Sequence, residues 1–469
     1  MKRSSALLLL LTLSACAVGP DYKRPPLNLP TQWQSATDFH PAVPGDAQFK
    51  GNWWEMFADP QLNKLVQQAL KQNQTLQGAV EHVQQARLQR QIVSSAQLPQ
   101  VALQASDARF KSAINRPVAA YGQVNTSTLQ NNPQLGLVVS YEADFFGRAR
   151  RMTESATAAE VGAGFDFENT RLMLLAELAT TYFRLRALDE EIELVQQGVL
   201  YQEKNLTLIR DRHELDYASG LDLAQQQALF DASKTQLTLL QNQRALLKNA
   251  LATLTGTAAP EFNLAAQSAL QPVPLLGVGL PADVLQRRPD ISAAERAMAA
   301  ANARIGVAQA GYYPTLMLNA SGGWDSTQMA NLFSAPSLLW ALGASLTQTV
   351  FDAGKTSANA HLAESIYVQT VAGYRQTVLV ALQEVQNGID SQKQLTEALV
   401  EATAAEKSAQ QVLELANVRY SGGLDSYLNV IVAQEAMLNN QRLRAQIHGQ
   451  QLQNAVYLVK ALGGGWQGL

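Results

Sequence analysis

The chain contains one pattern twice. Pro99, Leu103, Ala105 and Ser106 recur as Pro314, Leu318, Ala320 and Ser321, 215 positions on. Gly147-Arg148 recurs as Gly354-Lys355 at an offset of 207, and the same offset carries Arg212, Ser219, Leu221 and Gln227 onto Arg419, Ser426, Leu428 and Gln434. An ordered series with one change of offset describes a duplication with roughly eight extra residues between Pro99 and Gly147 in the first copy. Whatever the first half builds, the second half must build again. Each copy reads helix, strand, loop, strand, long helix, turn, long helix.

The long helices follow from what is missing. After Pro133 no proline occurs until Pro260, and after Pro336 none occurs to the end. An interior proline costs a helix about 3 kcal/mol, so these tracts permit uninterrupted rods. Leu175, Leu178, Tyr182, Leu185, Leu188, Ile192, Val195 and Val199 recur at three- and four-residue spacing, as do Val378, Leu382, Val385 and Ile389. That stripe fits a coiled coil and equally the buried face of a helical bundle. Length separates the two. A helix from 149 to 210 would be roughly 90 Å long at 1.5 Å per residue, more than a compact domain holds. Two hairpins turning near 217–220 and 422–425 suggest a tall cylinder.

The strand segments alternate. Leu135, Leu137, Val139, Tyr141 and Phe145 share one face, and Gln134, Gly136, Ser140, Glu142 and Asp144 the other. Trp340, Leu342, Ala344, Leu346 and Val350 likewise oppose Gly343, Ser345, Thr347 and Thr349. Period-two alternation over 10 to 13 residues fits a tilted membrane strand, and also a sandwich strand with one wet face. Four strands per chain cannot close a barrel, since at least about eight are needed, and an open edge in lipid is forbidden. A membrane barrel would therefore be shared between chains. Two copies would fill the interior with side chains; three would leave a lumen, which favours a homotrimer.

The N-terminus supplies the address. Met1, Lys2 and Arg3 precede a short apolar run, and Leu13, Ser14, Ala15 and Cys16 close it. This is the plan of a secretory signal peptide, and the run is about half the ~20 residues of a spanning helix. LSAC resembles a bacterial lipobox, which implies cleavage before Cys16 and acylation of that residue. Cys16 is the only cysteine, so no disulfide within the chain is possible. Ala17 follows it rather than Asp, which by the usual sorting pattern implies delivery to the outer membrane.

Enzymatic and nucleic-acid readings find no support. The net charge is -3 and only 16% of residues are charged, with no basic excess to bind nucleic acid. The histidines, His40, His82, His213, His361 and His448, show no zinc spacing. Gly354-Lys355-Thr356 imitates the end of a phosphate loop, but Thr349 stands where its first glycine belongs; the tripeptide reads better as a strand-to-helix turn. Neither a catalytic residue nor a metal or cofactor is expected, apart from covalent lipid on Cys16.

Four further motifs carry a resemblance: GPDYKRP (19–25), WWEMFADPQLNKLV (53–66), YEADFFGRAR (141–150) and RRPDI with AER (287–296). In this order they resemble the outer-membrane factor family, the TolC-like exit ducts, in the lipoprotein (NodT-type) branch that serves resistance-nodulation-division pumps. The resemblance implies an α+β, mainly helical chain whose trimer forms a twelve-stranded outer-membrane barrel continued by a periplasmic α-helical barrel. It implies a signal peptide at 1–15, a lipidated N-terminal segment at 16–57, and repeats at 58–270 and 271–469. Strands are expected at about 100–112, 133–146, 314–326 and 338–352, and hairpins at about 149–255 and 354–462. A belt near the middle of the helices would use 21–71, about 255–290 and the tail from Gly463.

Its implied partners are a periplasmic adaptor, an inner-membrane pump and outer-membrane lipid, and its implied activity is passive export of drugs, toxic organics or metal ions. A type I secretion duct, or a periplasmic scaffold without a pore, would use much of the same architecture. The resemblance also implies adaptor docking at the helical turns, through Ser219, Gly220, Leu221, Gly422, Gly423, Leu424, Ser426 and Tyr427. Ser219 and Ser426 equally suit helix caps. Asp216, Asp222 and Asp425 would form carboxylate rings at a closed aperture, or be solvated turn residues.

Overall fold

The computed structural model describes residues 17–34, 40–41, 51–115, 127–268, 271–274, 277–278, 284 and 287–464. Cys16 and the signal segment lie outside the described residues. Seven α-helices and six strands make up the regular structure of the described chain, beside short 3-10 turns. They are β1 (His40–Pro41), α1 (Pro60–Gln72), α2 (Gln74–Ser94), β2 (Gln100–Lys111), β3 (Leu129–Ala143), α3 (Arg148–Glu214), α4 (Gly220–Thr255), β4 (Gly277–Val278), α5 (Pro289–Ala310), β5 (Thr315–Asp325), β6 (Leu338–Thr347), α6 (Lys355–Ser421) and α7 (Tyr427–Ala461). The chain is mainly helical with one four-stranded sheet, the fold class expected.

Each of α3 and α6 runs for 67 residues without a break, roughly 100 Å at 1.5 Å per residue. Of the expected stripe, Leu175, Leu178, Tyr182, Leu185 and Val195 are almost wholly buried, as are Val378, Val385 and Ile389. None of the described helices is long and apolar enough to cross a membrane.

The chain divides into two compact units. The first comprises Met1–Pro25, Val83–Ala163 and Ala294–Tyr374 and holds the sheet; the second comprises Pro26–His82, Gly164–Ala293 and Arg375–Leu469. In the first unit, all four strands are antiparallel, in the order β2-β3-β5-β6. The fourth strand stops at Thr347, short of the expected 352. Its last pair is Thr347 with Thr315, where β5 begins after Pro314, so 348–352 has no partner strand. Val350, placed on the β6 alternation, therefore lies beyond the strand. The second strand starts at Leu129, earlier than expected, because β2 extends to Lys111 opposite it.

The second unit is built around the WWEMFADP motif. Trp53–Phe57 forms a 3-10 turn with Trp53, Trp54 and Phe57 buried. The Phe57 ring lies 4.8 Å from that of Phe183. Asp59 caps α1 by accepting from the backbone N–H of Gln61 and Leu62, and its other oxygen accepts from the Tyr182 hydroxyl at 2.7 Å. Burial pushes the Tyr182 phenol above its ordinary pKa, so it remains a donor. The RRPDI link is fixed by Arg288, which reaches Asp290, Glu384 and the Ala461 carbonyl.

Candidate functional site

The sheet register makes one continuous apolar face. Val101 pairs with Val139, Val139 with Ala320 and Ala320 with Leu342. One row away are Leu103, Leu137, Gly322 and Trp340; the row beyond holds Ala105, Leu135, Trp324 and Leu338. The opposite face carries Gln100, Gln104, Ser140, Asn319, Ser321, Gly343 and Ser345. The apolar column on β5, from Leu316 to Trp324, is nine residues tall, the height of a tilted membrane strand.

The two edges are unsatisfied. Every residue of β2 and of β6 is exposed. Trp340, Leu342 and Leu346 are 74%, 76% and 68% exposed in the single chain. Among the described residues, the outer backbone N–H and C=O groups of both strands have no ladder partner. Burying such groups in hydrocarbon costs several kcal/mol each.

At the helix end of the sheet, Asp144 accepts from the N–H groups of Ala149 and Arg150, starting α3, and Asp352 does the same for α6 through Thr356. Gly147 (φ 80°) and Gly354 (φ 87°) make both turns, as the repeat requires. The GPDYKRP segment is pinned to this junction. Val18 N donates to the Phe146 carbonyl; Arg151 donates to the carbonyls of Val18 and Gly19 and pairs with Asp21 at 2.9 Å. Asn302 donates to the Pro20 carbonyl, and Arg24 to the Tyr374 hydroxyl.

The two helical turns share one backbone design. Tyr217 N donates to the Arg212 carbonyl and Asp216 N to that of His213; Leu424 and Gly423 repeat this with Arg419 and Tyr420. Each is a Schellman motif with a left-handed residue: Gly423 (φ 70°) in the second copy and Asp216 (φ 60°) in the first. Gly422 takes no positive φ, and Gly220 is simply the first residue of α4.

The candidate residues here separate by environment. Leu221 and Leu424 are exposed, together with Leu215 and Tyr217, which sequence reading missed. The 207-residue offset that places Tyr217 opposite Leu424 was the signal available for it. Tyr427 is a correction. It is 4% exposed, packs with Ile209, Leu229, Val430 and Ile431, and donates to Gln226 Oε1 at 2.7 Å. Its ring packs into the core from the first residue of α7, so it supports the turn rather than presenting a docking surface.

Ser219 and Asp222 form a reciprocal capping box, which occupies the Asp222 carboxylate. Ser426 makes no side-chain cap; Asp425 accepts from its N–H instead. Asp425 also accepts from Asn429 and pairs with Arg419 at 3.0 Å. The hydrogen bond from Arg419 holds its carboxyl below the usual carboxylate range. Asp216 makes no side-chain hydrogen bond or ion pair among the described residues. No group of His, Cys, Asp and Glu that could hold a metal is present among them.

Known proteins match along the whole length. The family model "Outer membrane efflux protein" matches residues 65–257 and 280–464. A Pseudomonas putida relative described as toluene efflux pump outer membrane protein TtgF is 31% identical over 472 residues, covering 99% of this chain and 97% of its own. Outer membrane protein OprJ of Pseudomonas aeruginosa is 30% identical, covering 98% and 95%. Among solved structures, the outer-membrane channel OprN superposes with a TM-score of 0.88 at 28% identity, covering 96% of this chain and 100% of that one. The open state of the Neisseria gonorrhoeae MtrE outer membrane channel gives 0.83 at 28% identity, covering 96% and 98%.

Proposed function

The chain belongs to the outer membrane efflux protein family, and from that membership we propose how three copies of it make one exit duct of a tripartite pump. Efflux channels of the outer membrane catalyse no reaction, and nothing in the chain is asked to. The observation that carries the proposal is the four-stranded sheet with a continuous apolar face and two bare edges. In the order β2-β3-β5-β6 the edge strands run in opposite directions, so β6 of one copy can pair antiparallel with β2 of the next. Three copies give twelve strands, room for a lumen, and no edge left in lipid.

The remaining parts are read onto this frame. The repeats are taken as 58–270 and 271–469, each supplying two strands and one helical hairpin. Cys16 carries the lipid, adding about 0.8 kcal/mol per buried CH₂. The pinned segment from Val18 to Asp21 supports an anchor beside the strand-to-helix junction. The turns, with exposed Leu215, Tyr217, Leu221 and Leu424 around Ser219, Gly220, Gly422, Gly423 and Ser426, dock the periplasmic adaptor. Asp216, whose carboxylate has no partner in the turn, supplies the aperture charge. Asp222 and Asp425 are held in structural bonds. The cargo is small molecules delivered by an inner-membrane pump; the toluene pump protein among its relatives favours apolar organics.

The test is the purified, lipidated chain. Expected are an oligomer that resists dissociation in unboiled detergent gels with the mass of three chains, and ohmic conductance in planar bilayers. A Cys16→Ala form should assemble yet lose metabolic labelling by palmitate. A water-soluble monomer that conducts nothing would overturn the reading.

A further inference from the structure

We propose that the extracellular end of β2 carries a binding site for the phosphorylated headgroup of the outer-leaflet glycolipid, formed by Arg109 and Lys111. The inference rests on the barrel reading above. The pairing of β2 with β3 is one-to-one from Gln100 with Ser140 to Lys111 with Leu129, without a bulge. Side chains two apart therefore stand on one face, and the column Val101, Leu103, Ala105 continues as Asp107, Arg109, Lys111. The outward face changes from apolar to charged between Ala105 and Asp107.

That change falls just past the row at which the pairing of β5 with β6 ends, Trp324 with Leu338. The row of Ala105 contains Leu135, Trp324 and Leu338, and Trp324 meets Phe333 edge-on with centroids 5.6 Å apart. An aromatic pair there marks the boundary between hydrocarbon and headgroups. Arg109 lies four residues above that row, about 13 Å along the strand and nearer 10 Å in height once the strand is tilted. The headgroup layer begins within that span, and long basic side chains bend toward it. Arg109 and Lys111 are exposed, and their side chains make no hydrogen bond or ion pair among the described residues. Closing the barrel pairs the backbone edge of β2 and leaves this outward face in the lipid. The ligand must be anionic and must lie at the outer leaflet, which identifies a glycolipid phosphate. Asp107, one pair closer to the band, lowers the patch charge and should weaken the contact.

Purified trimer in detergent is titrated with deep-rough lipopolysaccharide, reading bound mass by native mass spectrometry and the temperature at which the trimer dissociates. Wild type should bind and be stabilised. Arg109→Gln with Lys111→Gln should bind about tenfold or more weaker, as loss of one charge-assisted contact implies. Asp107→Asn should bind more tightly, and the exchange Arg109→Lys with Lys111→Arg should bind as wild type. Dephosphorylated lipid A and inorganic phosphate should give no stabilisation. Equal binding by the Gln variant, or by the phosphate-free lipid, would overturn the site while leaving a heat-resistant wild-type trimer intact. Absence of any trimer in the lipid-free wild type would overturn the barrel reading instead.

Discussion

The Tyr427 hydroxyl donates to Gln226 Oε1 across 2.7 Å, joining the second helical hairpin to the first. Gln226 is fully buried and its amide also donates to the Gln202 carbonyl on α3, so one side chain ties α3, α4 and α7 together. Tyr427→Phe keeps the ring and leaves Gln226 Oε1 buried without a donor, a loss of about 1–3 kcal/mol. Amide exchange should rise in 206–212 and 427–433 by the corresponding factor. Adding Gln226→Leu should restore part of the protection, because no orphaned acceptor then remains. Unchanged exchange in Tyr427→Phe would show that the bond contributes nothing.

The Asp425–Arg419 pair gives the second turn a pH response. Its folded carboxyl titrates below the ordinary carboxylate value near 4. The contribution to local stability is therefore present above pH ~4 and is lost as pH falls through the lowered value. Protease cleavage between 419 and 429 should accelerate below that pH in wild type and show no such step in Asp425→Asn.

Charge selection separates Asp216 from Asp425. Asp425→Ala removes a carboxylate already neutralised by Arg419 and should leave the cation selectivity of single channels near wild type. Asp216→Ala should lower it. The opposite order in reversal-potential measurements would reassign the aperture charge to Asp425.

On β6, Leu342 and Ser345 point to opposite faces. Leu342→Lys places an ammonium near the middle of the apolar band and should cost about 2–4 kcal/mol. The fraction of heat-resistant trimer extracted from membranes should fall sharply. Ser345→Lys should be tolerated and shift ion selectivity toward anions. Equal losses from the two variants would contradict the assignment of lipid and lumen faces.

Asp189 is buried at 1% side-chain exposure between Arg186 (2.9 Å) and Arg244 (2.5 Å), and accepts from Gln267 N. The two arginines donate onward to the Ala265 and Leu264 carbonyls, holding 264–267 against α3 and α4. Asp189→Asn leaves two guanidinium groups without their counter-charge, a loss of about 3–5 kcal/mol for a buried pair. Limited proteolysis should then cut first within 257–268, and thermal unfolding should shift down; a wild-type melt would refute the clamp.

Much of the fold was legible in one dimension because its determinants are periodic. Proline-free tracts and apolar spacing located α3 and α6, and alternation located β3 and β6, although pairing with β5 decided where β6 stops. The turns were legible only as backbone. The repeat offset placed them, yet equivalent positions hold Asp216 and Gly423, two residues of different chemistry sharing one left-handed conformation. Asp222, Asp425 and Tyr427 look alike in sequence as residues beside a turn. Their partners separate them: a capping serine, an arginine six residues away, and a glutamine 201 residues away.

The sequence by itself determined the duplication, the long helices and four amphipathic strands per chain, because each is written in local spacing or composition. Tertiary structure decided the register that merges the strands into one apolar face, and which side chains of the turns are buried, paired or free. Those outcomes depend on which distant segment lies alongside, and desolvation and hydrogen bonding between such segments leave no mark in the spacing of either one.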